Sequence, residues 1–337
     1  MVTLKDVARE AGCSEATASL VINNKPGVHE STRKKVLIAV SKLGYEPNTF
    51  ARSLASKKSK TIGLLVTDIE NPFFGSLVHH ISQNVRHHGY ALIVTTSNDD
   101  SKLEQEALQS FLSRRVDGLI AVPTQQSVED RAAYASFITR RIPLVFTTSY
   151  YLQVPADRVL TDYAQGSYAL TSHLLSFGHR SIVLLIGSDQ QAPINRDRIR
   201  GAREAFEEQH LDPSLLQLVA CDQPTFADGY KTTIRLLTEN DRPDAIMAIN
   251  DVIALGAKKA VENMNLRVPQ DISIGGYDDV IYASLLETPL TTVRQNIPAI
   301  AQASVEMLLK RIQAPDRPLE TILLAPELIV RKTTKAK

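Results

Sequence analysis

The chain has no tryptophan, only two cysteines, and few aromatic residues, 6% in all. Cys13 and Cys221 stand far apart, with no C-x-x-C and no Cys/His spacing, so neither a disulfide framework nor a zinc site is expected and a reducing compartment fits. No apolar run approaches the roughly 20 residues needed to cross a bilayer. The opening MVTLKDVARE lacks a basic stretch followed by an apolar one, so no signal sequence is expected and a cytoplasmic location is. Also missing are GxGxxG and Walker patterns, a nucleophile elbow and a clustered ligand set, so no enzyme activity, cofactor or metal is expected. His79, His80, His87 and His88 fall instead near the end of a solvated helix, where the dipole favours histidine.

What is present is a 337-residue chain, 43% hydrophobic and 22% charged, long enough for two or three buried cores. Its net charge of +1 is unevenly spread: residues 1–60 carry 11 Lys and Arg against five acids, and the remainder is net acidic. A basic head on an acidic body points to a polyanion meeting the head alone.

The head, residues 1–46, reads as three short helices. Thr3 is placed to cap the first, with Asp6 as capping-box partner and Leu4, Val7, Ala8 and Ala11 as its apolar stripe. Gly12 ends it, and Ser14 is placed to cap a second helix with Ala18, Val21 and Ile22 inward. Ser31 is expected to cap the third, which buries Val36, Val40 and Leu43. Two helices joined by a three-residue turn and braced by a third make a helix-turn-helix, whose second helix enters the major groove by its N-terminal part. Glu15, Ala16, Thr17, Ser19 and Leu20 lie on and around its outer face, with Thr3, Ser14 and Asn23 at the helix ends as further DNA contacts.

The blocks TLKDVAREAGCSEATASLVINN and GYEPNTFARSLASKKSKTIGLLV, with the third helix between them, resemble the LacI/GalR family of bacterial transcription regulators, and the resemblance runs from Thr3 to about Arg331. It implies a sequence-specific regulator, expected to repress carbohydrate-utilisation genes as a homodimer on a pseudo-palindromic double-stranded operator, with a sugar or sugar phosphate as effector. Where the family often carries an arginine that reads guanine, this chain has Leu20, which can touch only apolar surface such as a thymine methyl. The resemblance further implies a hinge helix and linker over 47–58. Asn48 and Ala51 there are small enough for close approach to a minor groove, Leu54 is placed to wedge between base pairs, and Arg52 and Lys57 can meet phosphates.

The body, 60–337, alternates apolar strand-like runs (TIGLLV, YALIVTT, DGLIAV, PLVFTT, SIVLLIG, LQLVA, DAIMAI, ISIGGY) with amphipathic helical segments. Such runs, apolar on both faces, form parallel sheets covered on two sides. Two doubly wound subdomains are expected, like the periplasmic-binding-protein-like body of the family: about 60–160 plus 291–319, and about 161–290 plus 320–337. A second stripe on the helix at 73–88 (Leu77, Val78, Ile81, Val85) is expected to contribute to a homodimer interface, with the helix near Lys102–Leu112.

Ligands bind such sheets at the carboxyl ends of the strands. Thr67, Phe73 and Phe74 follow the first strand and Thr148 the fourth, while Arg198, Asn250 and Asp278 match the family's effector-binding positions. Asp251 and Asp279 are expected to be helix caps. Thr147–Ser149 stand where the family often has an acid. Two other readings compete: a solute-binding protein, against which the basic head argues, and a global regulator controlled by a phosphorylated carrier protein.

Overall fold

The computed structural model describes residues 2–45, 59–124, 132–239 and 241–337. It divides into two units, Met1–Ser59 and Lys60–Lys337.

In the first unit α1 (Leu4–Ala11) begins with the expected capping box: Thr3 Oγ1 accepts from the Asp6 N–H, and the Thr3 N–H donates to Asp6 Oδ2 at 3.0 Å. Gly12 ends the helix in the left-handed region, φ 64°, where a side chain would be strained. Ser14 caps α2 (Glu15–Ile22) by accepting from the Thr17 N–H. The third helix, α3 (Glu30–Leu43), is not capped by Ser31. Its N-cap is His29, whose carbonyl accepts from the N–H groups of Thr32 and Arg33, so the backbone is already helical before Ser31 is reached. Val7, Ala8, Ala11, Ala18, Val21, Val36 and Ala39 form the core of this bundle.

The second unit holds two six-stranded sheets. Strands β1 (Thr61–Val66), β2 (Ala91–Thr96), β3 (Gly118–Ala121), β4 (Leu144–Thr147), β5 (Asp157–Thr161) and β11 (Thr321–Leu324) make the first, in the order β11-β5-β4-β3-β1-β2, all parallel. Strands β6 (Ile182–Gly187), β7 (Leu216–Cys221), β8 (Ala245–Ala248), β9 (Ser273–Asp278), β10 (Thr291–Arg294) and β12 (Glu327–Ile329) make the second, in the order β12-β10-β9-β8-β6-β7, with only β12 antiparallel. Helices α4 (Pro72–His87), α5 (Ser101–Ser113) and α6 (Ala132–Thr139) cover the first sheet; α7 (Tyr163–Ser176), α8 (Pro193–Glu208), α9 (Phe226–Glu239) and α10 (Asp251–Asn263) cover the second, followed by the short α11 (Ile281–Leu285). The doubly wound α/β body is thus as expected.

The division between lobes shifts from the expected one. β10 pairs with β9, Thr291 opposite Gly275, so 291–294 belong to the second sheet and the chain returns to the first lobe only after them. β11 pairs with β5, Thr321 opposite Arg158, so the third crossing follows Leu324 rather than lying between 319 and 320. Between these crossings runs α12 (Ile297–Gln313), which sequence periodicity did not single out. It packs on α4, and Leu77, Ile81 and Val85 are fully buried in one core with Ile300, Val305 and Leu308. Three of the four residues expected to serve a homodimer are therefore covered within the chain's own core, and Val78 is half-buried.

Candidate functional site

All seven cleft residues expected from sequence, Thr67, Phe73, Phe74, Thr148, Arg198, Asn250 and Asp278, line one cavity of about 130 Å³ between the two sheets. Each follows from its place at a strand's carboxyl end or in the helix beyond. Phe73 is buried and also belongs to the first lobe's core, whereas Phe74 is half-buried; their rings meet edge to face at 5.2 Å. Thr148 sits at φ 60° after β4, and its carbonyl accepts from the Tyr163 hydroxyl at 2.6 Å.

Arg198 is buried in α8, in the second turn after its start at Pro193. Its guanidinium lies over the rings of Tyr163 (4.2 Å) and Tyr277 (4.9 Å) and donates to the Ile249 carbonyl at 3.3 Å. The Nε–H is buried with no hydrogen-bond partner, and Arg198 lines the cavity.

Asp278 ends β9 at φ 116°, a conformation strained for a non-glycine residue. Its Oδ1 accepts from Gln295 Nε2 at 2.7 Å, and Gln295 Oε1 accepts from the Thr161 hydroxyl at 2.6 Å. One buried amide thus links Asp278 to the first and second crossings between lobes. Burial raises the Asp278 carboxyl to about 7, with the Gln295 hydrogen bond and the Arg198 charge opposing the rise.

Asp251 is not a cap. Asn250 caps α10, its Oδ1 accepting from the Ile253 N–H at 2.7 Å while its Nδ2 donates to the Pro224 carbonyl. Asp251 is fully buried, accepting from the Val280 N–H at 2.8 Å and the Thr292 hydroxyl at 2.5 Å. Burial and then the nearby Asp278 hold its carboxyl well above the usual range. Gly276 makes this approach possible: a Cβ there would lie 2.2 Å from Asp251 Oδ1. Asp279 is not a cap either; it pairs with Arg294 (2.7 Å) and Arg331 (2.6 Å), tying β9 to the C-terminal segment.

Sequence reasoning missed Asn71, Tyr163 and Gln295 in the cavity wall. Asn71 had a signal, since an Asn before Pro is a helix-cap pattern, and its Oδ1 does accept from the Phe73 N–H at 3.0 Å. Behind the first-lobe wall lies another missed residue, Glu104. It is buried in the first turn of α5 and accepts from Tyr134 Oη (2.7 Å), Tyr151 Oη (2.9 Å), the Thr124 N–H (3.2 Å) and Thr124 Oγ1 (3.4 Å). These bonds anchor the segments that bear Val122, Pro123 and Thr148 on the cavity wall. Glu104→Leu removes the acceptor of four donors and is expected to cost about 2–4 kcal/mol in urea unfolding.

In the head, Ser14, Glu15 and Ala16 are exposed and Thr17, Ser19 and Leu20 half-exposed. Thr3, also exposed, gives its hydroxyl proton to Asp6 at 2.6 Å. Asn23 turns its amide back to Ser19. Asn48, Ala51, Arg52, Leu54 and Lys57 lie outside the described residues. Among the described residues there is no group of three or more His, Cys, Asp or Glu arranged to hold a metal, and no helix long and apolar enough to cross a membrane.

Comparison with known proteins bears on both units. Residues 3–48 match the profile described as bacterial regulatory proteins, lacI family, and residues 171–334 that of the periplasmic binding protein-like domain. The ribose operon repressor of Haemophilus influenzae is 35% identical over 335 residues, covering 99% of this chain and 98% of that protein. The transcriptional repressor PurR of H. influenzae is 35% identical over 342 residues, covering 100% and 99%. Among solved structures, the lac repressor dimer bound to operator and the anti-inducer ONPF superposes with a TM-score of 0.87 at 31% identity, covering 99% of each chain. A lacI family regulator from Enterococcus faecium with bound ribose gives 0.74 at 30% identity, covering 82% of this chain and 99% of that one.

Proposed function

Because the chain belongs to the LacI family of bacterial regulatory proteins, we propose that it is a DNA-binding transcriptional repressor of carbohydrate-utilisation genes. It acts in the cytoplasm as a homodimer on a pseudo-palindromic operator, and an effector in the cleft between its lobes modulates its grip. One observation carries this reading: seven side chains scattered from Thr67 to Asp278 converge on one cavity in a body joined to a helix-turn-helix head. The effector shifts operator affinity only as far as it binds one state of the body better than the other.

The cavity lining also selects the class of effector. Among the described residues, Asp99, Asp189, Asp222 and Asp278 line it with a single guanidinium, that of Arg198. An anion enters against this acidic wall, whereas hydroxyl groups find acceptors in the carboxylates and a donor in Arg198. The volume suits roughly ten water-sized groups, the scale of a monosaccharide. The effector is therefore a neutral sugar in preference to a sugar phosphate. The test is anisotropy of a labelled operator with the full-length chain, over sugars starting with D-ribose, sugar phosphates, nucleosides and purines. A neutral sugar should change the affinity and its phosphate should not; a panel in which nothing acts would sink the effector reading.

Dimerisation needs a surface other than the buried face of α4 that carries Leu77, Ile81 and Val85. Ile281, Tyr282 and Leu285 on α11 are 66%, 54% and 70% exposed, an apolar concentration of the kind that marks subunit contacts. The hinge role of Leu54 is tested by Leu54→Ala: a lost wedge is expected to weaken operator binding while sedimentation still reports the same dimer.

A further inference from the structure

The middle of the outward face of α2 is apolar. At helical spacing Ala16 and Leu20 sit together on the side away from Ala18 and Val21, which the head's core buries. Leu20, half-exposed, does not join that core, although Cys13, Ile22 and Val28 around it do. A partly exposed leucine means little alone; what distinguishes this one is the chemistry beside it. The Ser14 and Thr17 hydroxyls bond each other at 2.8 Å. Asn23 spends its amide on Ser19, at 2.8 Å to the carbonyl and 3.3 Å to the hydroxyl. Arg33 is turned to the Asn24 side chain and the Lys25 carbonyl.

The helix itself, EATASLVI, has no Lys, Arg, Asn or Gln. It therefore lacks every side chain that makes the two-point hydrogen bond to guanine or adenine in the major groove. Its one charged residue, Glu15, is exposed and can only accept.

We infer that α2 reads its half-site through thymine 5-methyl groups packed against Ala16 and Leu20, with Glu15 accepting from a cytosine amino group. This rests on the DNA-binding reading of the head and deepens it, by naming the base chemistry that the head selects. Phosphate contacts from the basic residues around α2 hold the register and carry no base preference.

The experiment is selection from randomised palindromic duplexes by the purified full-length chain. The enriched operator is then rebuilt with deoxyuridine for thymidine, one position at a time, which deletes the methyl and nothing else. Uridine at one or two positions of each half-site is expected to weaken binding roughly fourfold per methyl. Leu20→Ala, a change outside the core, should lose most of the methyl sensitivity at the position facing Leu20 and keep that at the position facing Ala16. Leu20→Arg should move the preferred base at that position to guanine. Operators that bind unchanged with uridine throughout, or a Leu20→Ala variant as sensitive as the parent, overturn the methyl readout while leaving DNA binding intact. A selection that enriches no sequence brings down the DNA-binding reading and this inference with it.

Discussion

Arg311→Ala is expected to lower the unfolding free energy of the body by about 3–5 kcal/mol, read as a lower urea midpoint. Arg311 lies near the end of α12 and grips Asp157 at the start of β5 with two bonds, Nε to Oδ2 at 2.9 Å and a terminal nitrogen to Oδ1 at 2.8 Å. The Asp157 side chain is wholly buried. The same guanidinium donates to the carbonyls of Pro315, Arg317 and Pro318, and Asp157 Oδ1 also accepts from the Glu320 N–H at 2.9 Å. One ion pair thus fixes the turn that carries the chain from α12 into β11. Truncating the arginine strands a buried carboxylate and removes the donor of three carbonyls, which is why the loss exceeds that of a surface pair. Two further variants separate charge from shape. Arg311→Lys keeps the charge without the planar fork and should recover only part of the loss. A doubly apolar Arg311→Met, Asp157→Leu variant removes the stranded charge and should be more stable than Arg311→Ala, though the turn carbonyls still lack their donor. A midpoint unmoved by Arg311→Ala would show that the pair contributes nothing net.

That ion pair also marks where the sequence stops being readable. The inner strands β1, β3, β4, β6 and β8 are short, largely apolar runs, buried almost throughout, because a central parallel strand is covered on both faces. After β9 the signal fades. β11 and β12 are four and three residues long, largely half-exposed, and separated only by Ala325 and Pro326, yet they belong to different sheets. Periodicity reports which residues face a core, not which of two cores. Only the pairings of β11 with β5 and of β12 with β10 decide it.

The same limit explains the α4 stripe. Its apolar width was legible, but its partner α12 lies more than 200 residues further on, and a second copy of the chain looked like the simpler cover. In the cavity, residues after long apolar strands were found because the strand-end rule points to them. Gln295 follows a four-residue strand, and Glu104 acts through tyrosines 30 and 47 residues away. No spacing in the sequence announces either. Asp251 was legible as an acid at a helix start; that Asn250 holds the cap and leaves Asp251 to brace β9 needed the fold.

Asp278→Asn is expected to leave operator binding intact and to weaken effector binding by roughly 10- to 100-fold, the loss of charge-assisted hydrogen bonds to ligand hydroxyls. The pH dependence gives a sharper test, because burial holds this carboxyl at about 7 against an unfolded value near 3.8. Its folded value is raised, so between roughly pH 4 and 7 the folded protein holds the proton more tightly than the unfolded chain does. Stability from this group is accordingly full below pH 4 and falls as pH rises toward 7, by up to about 1.4 kcal/mol per unit. Effector binding runs the other way. Hydroxyls donate to the carboxylate, so affinity is highest above pH 7 and falls up to about tenfold per unit below it, with a proton released on binding. The neighbouring Asp251 is itself held well above the usual range, by burial first and then by the Asp278 charge. In Asp278→Asn the acidic limb of the affinity profile should flatten, measured by calorimetry in buffers of different ionisation enthalpy. A parent protein whose effector affinity is level from pH 5 to 8, with no proton exchanged, would mean that the ligand does not use Asp278 as an ionised acceptor.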